Sequence, residues 1–254
     1  MTYDDDHIEQ LKKAYSENKV SDSYIEDRFS SAIGRILHEA QVSFVVEAIT
    51  KHRITSVLEV APGPARLTVD IGASCRQTHG TIMDFNVNML EQAQKRLSAS
   101  GLAENWKSVA GDAFDMPFKD IFQLAYSFRF IRHFHKEDRN RIYNQIHQHL
   151  EPNGFLIFDA INRQVSEPLR ANATVDEYPI YDELYDFQQL EQELKQNQFR
   201  IVEYIAVQRC YSLLSKIQIL IGPRSEKLAY RLMKLVEAAK IGQPLEWIVL
   251  CQKI

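Results

Sequence analysis

Apolar residues near the start of the chain recur at helical spacing and then give way to a short apolar run. The helical set is Ile33, Ile36, Leu37, Ala40 and Phe44. Intervals of three and four residues place these side chains on one helix face, so we predict an amphipathic helix over residues 31–51. The run Ser56–Val60 is short and mostly apolar, which predicts a buried strand directly after that helix.

The second half of the chain shows both kinds of pattern again. One helix is marked by Phe187, Leu190 and Leu194. The β-branched and aromatic runs Phe199–Val207 and Leu245–Cys251 predict two strands. Between them lie two apolar stripes at helical spacing: Leu213, Leu214, Ile217 and Leu220, then Leu228, Leu232, Leu235 and Ala239. Gly222 and Pro223 separate the stripes, so we predict a two-helix insertion at residues 211–242.

The first predicted strand carries a carboxylate, Glu59, and leads into a turn of small residues, Ala61–Ala65. Small side chains let the backbone approach a ligand, and the next helix would present the positive end of its dipole there. The dinucleotide-binding pattern would place Arg66 where close helix packing needs a small residue. A pattern in which small residues follow the acid at every second position, Ala61, Gly63 and Ala65, fits this loop better than the dinucleotide-binding pattern. A plain strand followed by a helix beginning at Pro64 is the alternative without a ligand.

Four further segments follow in order, each a predicted strand end or the turn beside it. They are Thr81–Phe85, Val109–Ala113, Phe122–Phe130 and Leu150–Phe158. Together with the first loop, they resemble the successive motifs of class I S-adenosylmethionine-dependent methyltransferases over residues 54–160. The resemblance implies an α/β fold with a doubly wound, seven-stranded, mostly parallel sheet of the Rossmann-like methyltransferase type. It also implies that the last strand is inserted antiparallel near one edge.

The resemblance further implies a binding site for S-adenosyl-L-methionine, with S-adenosyl-L-homocysteine as the product. Asp84 matches the acid that accepts hydrogen bonds from both ribose hydroxyls, and Phe85 is expected against the adenine face. Asp112 matches the residue that meets the adenine amino group. The implied cofactor residues of the core are Glu59, Ala61, Gly63, Asp84, Phe85, Met89, Asp112, Ala113, Ser127 and Phe128.

The segment before the first helix is similar to N-terminal segments that close over the cofactor in small-molecule methyltransferases. By this resemblance Tyr24 would contact the sulfonium region through its ring face, and Arg28 would pair with the methionyl carboxylate. A surface helix with a solvated arginine is an equal alternative. We therefore predict a helical cap or lid at residues 1–52 and a methyltransferase core at residues 53–254 that contains the insertion.

One histidine is a candidate general base. His133 follows the fourth predicted strand, near the place where the resembled family binds its acceptor. A base is needed only when the acceptor is protonated at neutral pH, and a structural histidine is the favoured alternative. Arg129 and Arg132 are candidates for holding an anionic acceptor, although exposed arginines are common.

Composition narrows the class of protein. The 254 residues are 45% hydrophobic and 25% charged, which is typical of a globular enzyme. A net charge of −4 gives no general attraction to nucleic acid. Three separated cysteines favour reduced thiols and a cytoplasmic location, and no apolar run reaches the length of a membrane span. The histidine spacings predict no metal site.

Methyltransferases that modify base amino groups usually carry two prolines after the fourth strand, whereas this chain has Ser127–Phe130. We therefore predict methyl transfer to a small-molecule acceptor through an O- or N-nucleophile. An RNA or protein methyltransferase, a non-catalytic cofactor-binding regulator and, less favoured, a nicotinamide oxidoreductase are the alternatives. The oligomeric state stays open. A basic run, Arg224, Lys227, Arg231 and Lys234, indicates either an anionic or membrane-binding surface or a solvated helix face.

Overall fold

The computed structural model describes residues 31–171, 173, 178 and 180–254. Its strands are β1 Ser56–Val60, β2 His79–Asp84, β3 Trp106–Ala110, β4 Phe122–Ser127, β5 Leu150–Asn162, β6 Leu184–Tyr185, β7 Phe199–Arg209 and β8 Pro244–Lys253. Its α-helices are α1 Ala32–His52, α2 Arg66–Ser74, α3 Val87–Ala99, α4 Lys136–Gln148, α5 Arg163–Ala171, α6 Phe187–Gln196, α7 Tyr211–Ile221 and α8 Glu226–Ala238. A single 3-10 turn spans Ile131–His133.

The strands form one sheet in the order β3-β2-β1-β4-β5-β8-β7, with the short β6 paired to β5. β1 to β5 are mutually parallel, and β8 runs antiparallel to both β5 and β7. The order reverses between β1 and β4, which makes this the switch point where α/β sheets bind ligands. The predicted doubly wound, mostly parallel sheet is confirmed, with β6 as an additional short strand.

Two apolar layers cover the sheet because successive strand residues face opposite sides. On one side, Val57 of β1 packs with Leu37 and Phe44 of α1, and α2 and α3 join the same cluster. On the other side, Leu58 packs with α4 and α6. Helix α1 therefore lies in the main core, and the two helices of the insertion pack on its outer part.

The insertion is observed as predicted, as two helices between β7 and β8. Leu214, Ala229 and Met233 are fully buried against Ala32 and Ile36 of α1. One local prediction needs adjustment. Helix α2 begins at Arg66, two residues after Pro64, because Ala65 adopts a left-handed conformation that precedes the helix. In the part of the chain that the structure describes, no helix is long and apolar enough to cross a membrane.

Candidate active site

A cavity lies at the carboxyl edge of the sheet, where β1, β2, β3 and β4 end. Its lining is Val60, Ala61, Gly63, Met83, Asp84, Phe85, Asn86, Met89, Gly111, Asp112, Ala113, Phe114, Phe128, Arg129, Phe130, His133 and Phe134. Each of those four strands contributes the residues at or just after its end, because parallel strands present their carboxyl ends on one edge. The fold thus gathers four separated sequence motifs around one space.

The loop after β1 turns through three left-handed residues. Ala61, Gly63 and Ala65 have φ angles of 56°, 55° and 57°. The left-handed region disfavours residues with a bulky Cβ, which explains why small residues occur at every second position. The amide of Ala61 donates to the carbonyl of Met83 at 2.8 Å, so the loop is fixed to the end of β2. The small side chains leave the backbone open to the cavity.

Asp84, at the end of β2, is the buried carboxylate of the cavity. Its Oδ2 accepts from the Gly63 amide at 3.1 Å, and its Oδ1 accepts from the Asn86 amide at 2.9 Å. Burial raises the pKa of Asp84 to about 6, although the backbone donors act to lower it. Asn86 then caps α3 by accepting from the Asn88 and Met89 amides. The carboxylate therefore links the loop after β1 to the start of α3.

The other predicted cofactor residues divide into two groups. Phe85, Met89, Asp112, Ala113 and Phe128 line the cavity together with Ala61, Gly63 and Asp84. Asp112 also shapes its own turn, because its Oδ1 accepts from the Phe114 amide at 3.0 Å. Glu59 and Ser127 are not part of the lining.

Glu59 lies behind the loop as a buried brace. Its Oε2 accepts from Tyr126 Oη at 2.9 Å and from Thr68 Oγ1 of α2. Burial raises the pKa of Glu59 to about 7, against the opposing effect of these two hydrogen bonds. Ser127 Oγ donates to the Val60 carbonyl at 2.8 Å and so joins β4 to the end of β1. Both side chains support the cavity wall from outside the cavity.

A second cavity of about 310 Å³ adjoins the first. Arg129 and His133 line both spaces. The rest of the second lining is Ile33, Gly34, Leu37, Arg132, Ile161, Ser166, Arg170, Tyr178, Ile180, Asp182, Gln208, Tyr211, Leu245 and Glu246. Helix α1, the ends of β7 and β8, and the segment before β6 therefore enclose a space beside the first cavity.

His133 is held in a defined orientation between the two cavities. Its Nδ1 lies 2.9 Å from the Tyr181 carbonyl oxygen and 2.9 Å from Asp182 Oδ1. Both partners are hydrogen-bond acceptors, so Nδ1 carries a proton in this geometry. Burial acts to raise the pKa of Asp182, but the hydrogen bond from His133 and the charge of Arg132 hold it below its usual range.

Arg132 is the centre of a buried ionic cluster. Its Nη1 contacts Asp159 Oδ2 at 2.6 Å and Glu246 Oε1 at 3.0 Å, and its Nε contacts Asp182 Oδ1 at 3.1 Å. Burial disfavours the charge of Arg132, and the three carboxylates outweigh that effect and raise its pKa. Arg132 is therefore committed to structural partners.

Arg129 is placed differently. Its backbone is left-handed, with φ of 57°, and its amide donates to Asp159 Oδ1 at 2.6 Å. Its Nε is buried and makes no hydrogen bond within the described residues, and the same is true of Glu246 Oε2. Arg129 and Glu246 both line the second cavity, and each thus has one buried polar atom without a hydrogen-bond partner among the described residues.

The sequence did not point to several of these residues. Asn86 has a readable signal, an Asn just before an apolar helical pattern, which is typical of an N-cap. Asp159, Asp182 and Glu246 have none, because their common partner is remote in sequence. Tyr24 and Arg28 lie outside the described residues, so their role in a lid stays a prediction. No group of three or more His, Cys, Asp or Glu suited to a metal occurs within the described residues.

Comparison with known sequences identifies the core. Residues 57–154 match the family described as "Methyltransferase domain". A ubiquinone/menaquinone biosynthesis C-methyltransferase UbiE of Brucella anthropi is 33% identical over 116 residues, which cover 44% of this chain and 43% of that protein. The corresponding protein of Brucella suis is 31% identical over 126 residues, or 47% and 46% of the two chains. The match therefore spans less than half the length of these curated relatives.

Solved structures share the fold at low sequence identity. An O-methyltransferase family protein from Burkholderia thailandensis aligns with a TM-score of 0.65 and 12% identity, over 95% of this chain and 62% of its own. An S-adenosylmethionine-dependent methyltransferase from Clostridium acetobutylicum aligns with a TM-score of 0.58 and 15% identity, over 84% and 90%. These likenesses concern the fold. Residues 57–154 are therefore similar to a methyltransferase domain, and the chain has the fold of solved S-adenosylmethionine-dependent methyltransferases.

Proposed function

We propose that this protein transfers a methyl group from S-adenosyl-L-methionine to a small molecule held in the second cavity. The observation that carries the proposal is the junction of the two cavities at Arg129 and His133, beside a loop and a buried carboxylate suited to a nucleoside. The cofactor supplies an activated methyl group. The protein's contribution is then to align the acceptor and exclude water.

The residues of the first cavity fit the proposed cofactor chemically. Asp84 offers a buried carboxylate for two ribose hydroxyls, and Phe85, Met89 and Phe128 offer apolar surface for the adenine. Gly63 lets the backbone approach the methionyl part. Asp112 and the Ala113 amide would recognise the hydrogen-bonding edge of the adenine. Glu59 and Ser127 would act indirectly by holding the strands and α2 in place.

The second cavity indicates the kind of acceptor. Its wall combines apolar side chains such as Leu37, Ile161 and Leu245 with the available Nε of Arg129 and Oε2 of Glu246. An apolar molecule with an electron-rich oxygen and a neighbouring O–H or N–H donor would satisfy both groups. Such an acceptor needs to lose a proton, and His133, which lines both cavities, would assist that step.

A carbon nucleophile is a second candidate. The sequence predicts an oxygen or nitrogen acceptor, whereas the curated relatives carry the name C-methyltransferase. An enol or phenol can react at oxygen or at the adjacent carbon, and both reactions fit the same wall. Incubation with phenolic compounds and cofactor, followed by product mass and fragmentation, distinguishes an O-methyl product from a C-methyl product.

Calorimetric titration with S-adenosyl-L-homocysteine tests the cofactor site. Asp84→Ala should weaken binding by roughly 10- to 150-fold, the range for hydrogen bonds to a charged group. Asp120→Ala removes an exposed carboxylate from a loop outside the cavity and should leave affinity unchanged. Thermal unfolding of both variants shows whether each is folded. Unchanged affinity in a folded Asp84→Ala protein would contradict the cofactor assignment.

A further inference from the structure

The two helices of the insertion present apolar side chains to solvent. Leu213, Ile219 and Leu220 of α7 are exposed, and so are Leu228 and Leu235 of α8. Leu220 and Leu235 have 62% and 69% of their surface accessible. Isolated exposed apolar side chains are common, but four leucines and one isoleucine on one helical hairpin form a patch. Packing does not require them, because Leu214, Ala229 and Met233 already fill the interface with α1.

Cations alternate with these apolar residues on the same outward helix faces. They are Lys216, Arg224, Lys227, Arg231 and Lys234, all exposed. Arg224 lies in the turn between the two helices, directly before the N-cap residue Ser225. At about 100° per residue, positions 227, 228, 231, 234 and 235 fall on one side of α8, and positions 213, 216, 219 and 220 fall on one side of α7. We call this combined set the hairpin face.

Helix α7 has no acidic residue, and the two acidic residues of α8 are turned toward the protein. Glu226 Oε2 accepts from the Ala32 amide at 2.8 Å, and Glu226 Oε1 accepts from Gln218 Nε2 at 2.7 Å. Glu237 Oε1 accepts from the Arg209 amide at 2.7 Å. Within the described residues, Lys234 is the one ion-paired cation of the five, with Glu39 of α1 at 3.3 Å. The hairpin face is therefore cationic, although the whole chain has a net charge of −4.

We propose that the hairpin face docks on an anionic lipid bilayer surface. Leucines and isoleucines enter the boundary between head groups and acyl chains, while lysines and arginines contact anionic head groups. Charge complementarity favours this occupant over a second copy of the chain. A twofold dimer through this face would place two identical sets of cations against each other. Nucleic acid would use the cations but leave the apolar residues without a role.

The insertion that would dock also contributes to the wall of the second cavity. Tyr211, the first residue of α7, lines that cavity, and Ile33 of α1 does so beside the buried face of the hairpin. The thickness of one helix would then separate a docked membrane from the proposed acceptor cavity. This consequence rests on the proposed function, whereas membrane docking itself does not.

Co-sedimentation with vesicles tests the proposal on the full chain. We expect binding to vesicles of phosphatidylcholine mixed with phosphatidylglycerol, weak binding to phosphatidylcholine alone, and release at high salt. Lys227→Gln with Arg231→Gln should weaken binding about 25-fold, at about fivefold per cation. Leu220→Gln with Leu235→Gln should abolish insertion, seen as lost quenching by brominated lipid. Glutamine keeps helix propensity, so both pairs should fold.

Matched variants and a second readout make the result decisive. Lys95→Gln with Arg96→Gln removes two exposed cations from α3, and Ile121→Gln removes an exposed apolar residue elsewhere; neither should change vesicle binding. Absence of binding to the anionic vesicles would overturn the proposal. A concentration-dependent dimer that the Leu220 and Leu235 substitutions dissolve would overturn it in favour of self-association. Cofactor titration on the same samples tests the proposed function separately.

Discussion

Glu59→Gln should make the protein more stable at alkaline pH while leaving the cofactor cavity intact. Glu59 is buried, and its Oε2 accepts from Thr68 and Tyr126. A glutamine oxygen can accept the same two hydrogen bonds without a charge. The substitution therefore removes the desolvation penalty of the carboxylate and keeps the brace between β1, β4 and α2.

The magnitude follows from the pKa. Burial raises the pKa of Glu59 from 4.5 to about 7 in the folded chain. Because the folded pKa is the higher one, stability is fully present below the unfolded pKa and is lost as pH rises from about 4.5 to about 7. The loss is about 3 kcal/mol at pH 8 and about 1 kcal/mol at pH 5. Glu59→Gln should remove this difference.

Urea unfolding at several pH values between pH 5 and pH 8 measures the effect. The free energy of unfolding of the wild type should fall with pH by about 2 kcal/mol more than that of the variant. Glu104→Gln, an exposed glutamate on the loop before β3, provides the control and should follow the wild type. Parallel curves for the wild type and Glu59→Gln would refute the buried-charge reasoning. A large loss of cofactor affinity in Glu59→Gln would instead indicate a direct contact.

Two further predictions concern the cavities. Gly63→Val should abolish cofactor binding, because φ is 55° and a branched side chain beside the cavity blocks the approach of the backbone to the cofactor. Gly101→Val, with φ of 67° and open space around it, should bring a comparable strain of about 1–2 kcal/mol without affecting binding. Equal cofactor affinity of both variants in calorimetry would exclude the loop as the cofactor site. His133→Asn should keep the affinity for S-adenosyl-L-homocysteine but lower turnover about 100-fold or more, measured as release of that product with an active acceptor; full turnover would show that His133 has a structural role only.

The sequence predicted the fold well where local patterns and topology agree. The apolar spacing identified α1, and the two apolar stripes identified α7 and α8. The start of α1 at Ala32 and the end of α7 at Ile221 lie within one or two residues of the predicted positions. Because connections between neighbouring elements are short and right-handed, the alternation of buried strands and amphipathic helices is compatible with only a few sheet topologies. The start of α2 was less predictable, because Pro64 suits a first helical position while Ala65 in fact adopts the left-handed conformation.

Site residues were predictable from the sequence where a short segment of chain determines their position, and were missed where their contacts come from distant parts of the chain. Asp84 is the last residue of β2 and Asp112 lies two residues after β3, so their place at one sheet edge comes from topology alone. Glu59 looks identical in sequence, yet its side chain faces α2 and β4, which a strand pattern does not reveal. Partners of Arg132 come from positions 159, 182 and 246, and pairings over such distances leave no local pattern.

The position of β8 in the sheet determines the order in which the molecule can be built. β8 follows every other described strand in sequence, but it lies between β5 and β7 and gives β7 its strand partner within the described residues. During synthesis, β1 to β4 and the loop around Gly63 can pair while later residues are still on the ribosome. Glu246 belongs to β8, so its ion pair with Arg132 can form only once β8 has paired between β5 and β7. The loop around Gly63 that would bind the nucleoside therefore precedes Glu246, the last residue in sequence to line the second cavity.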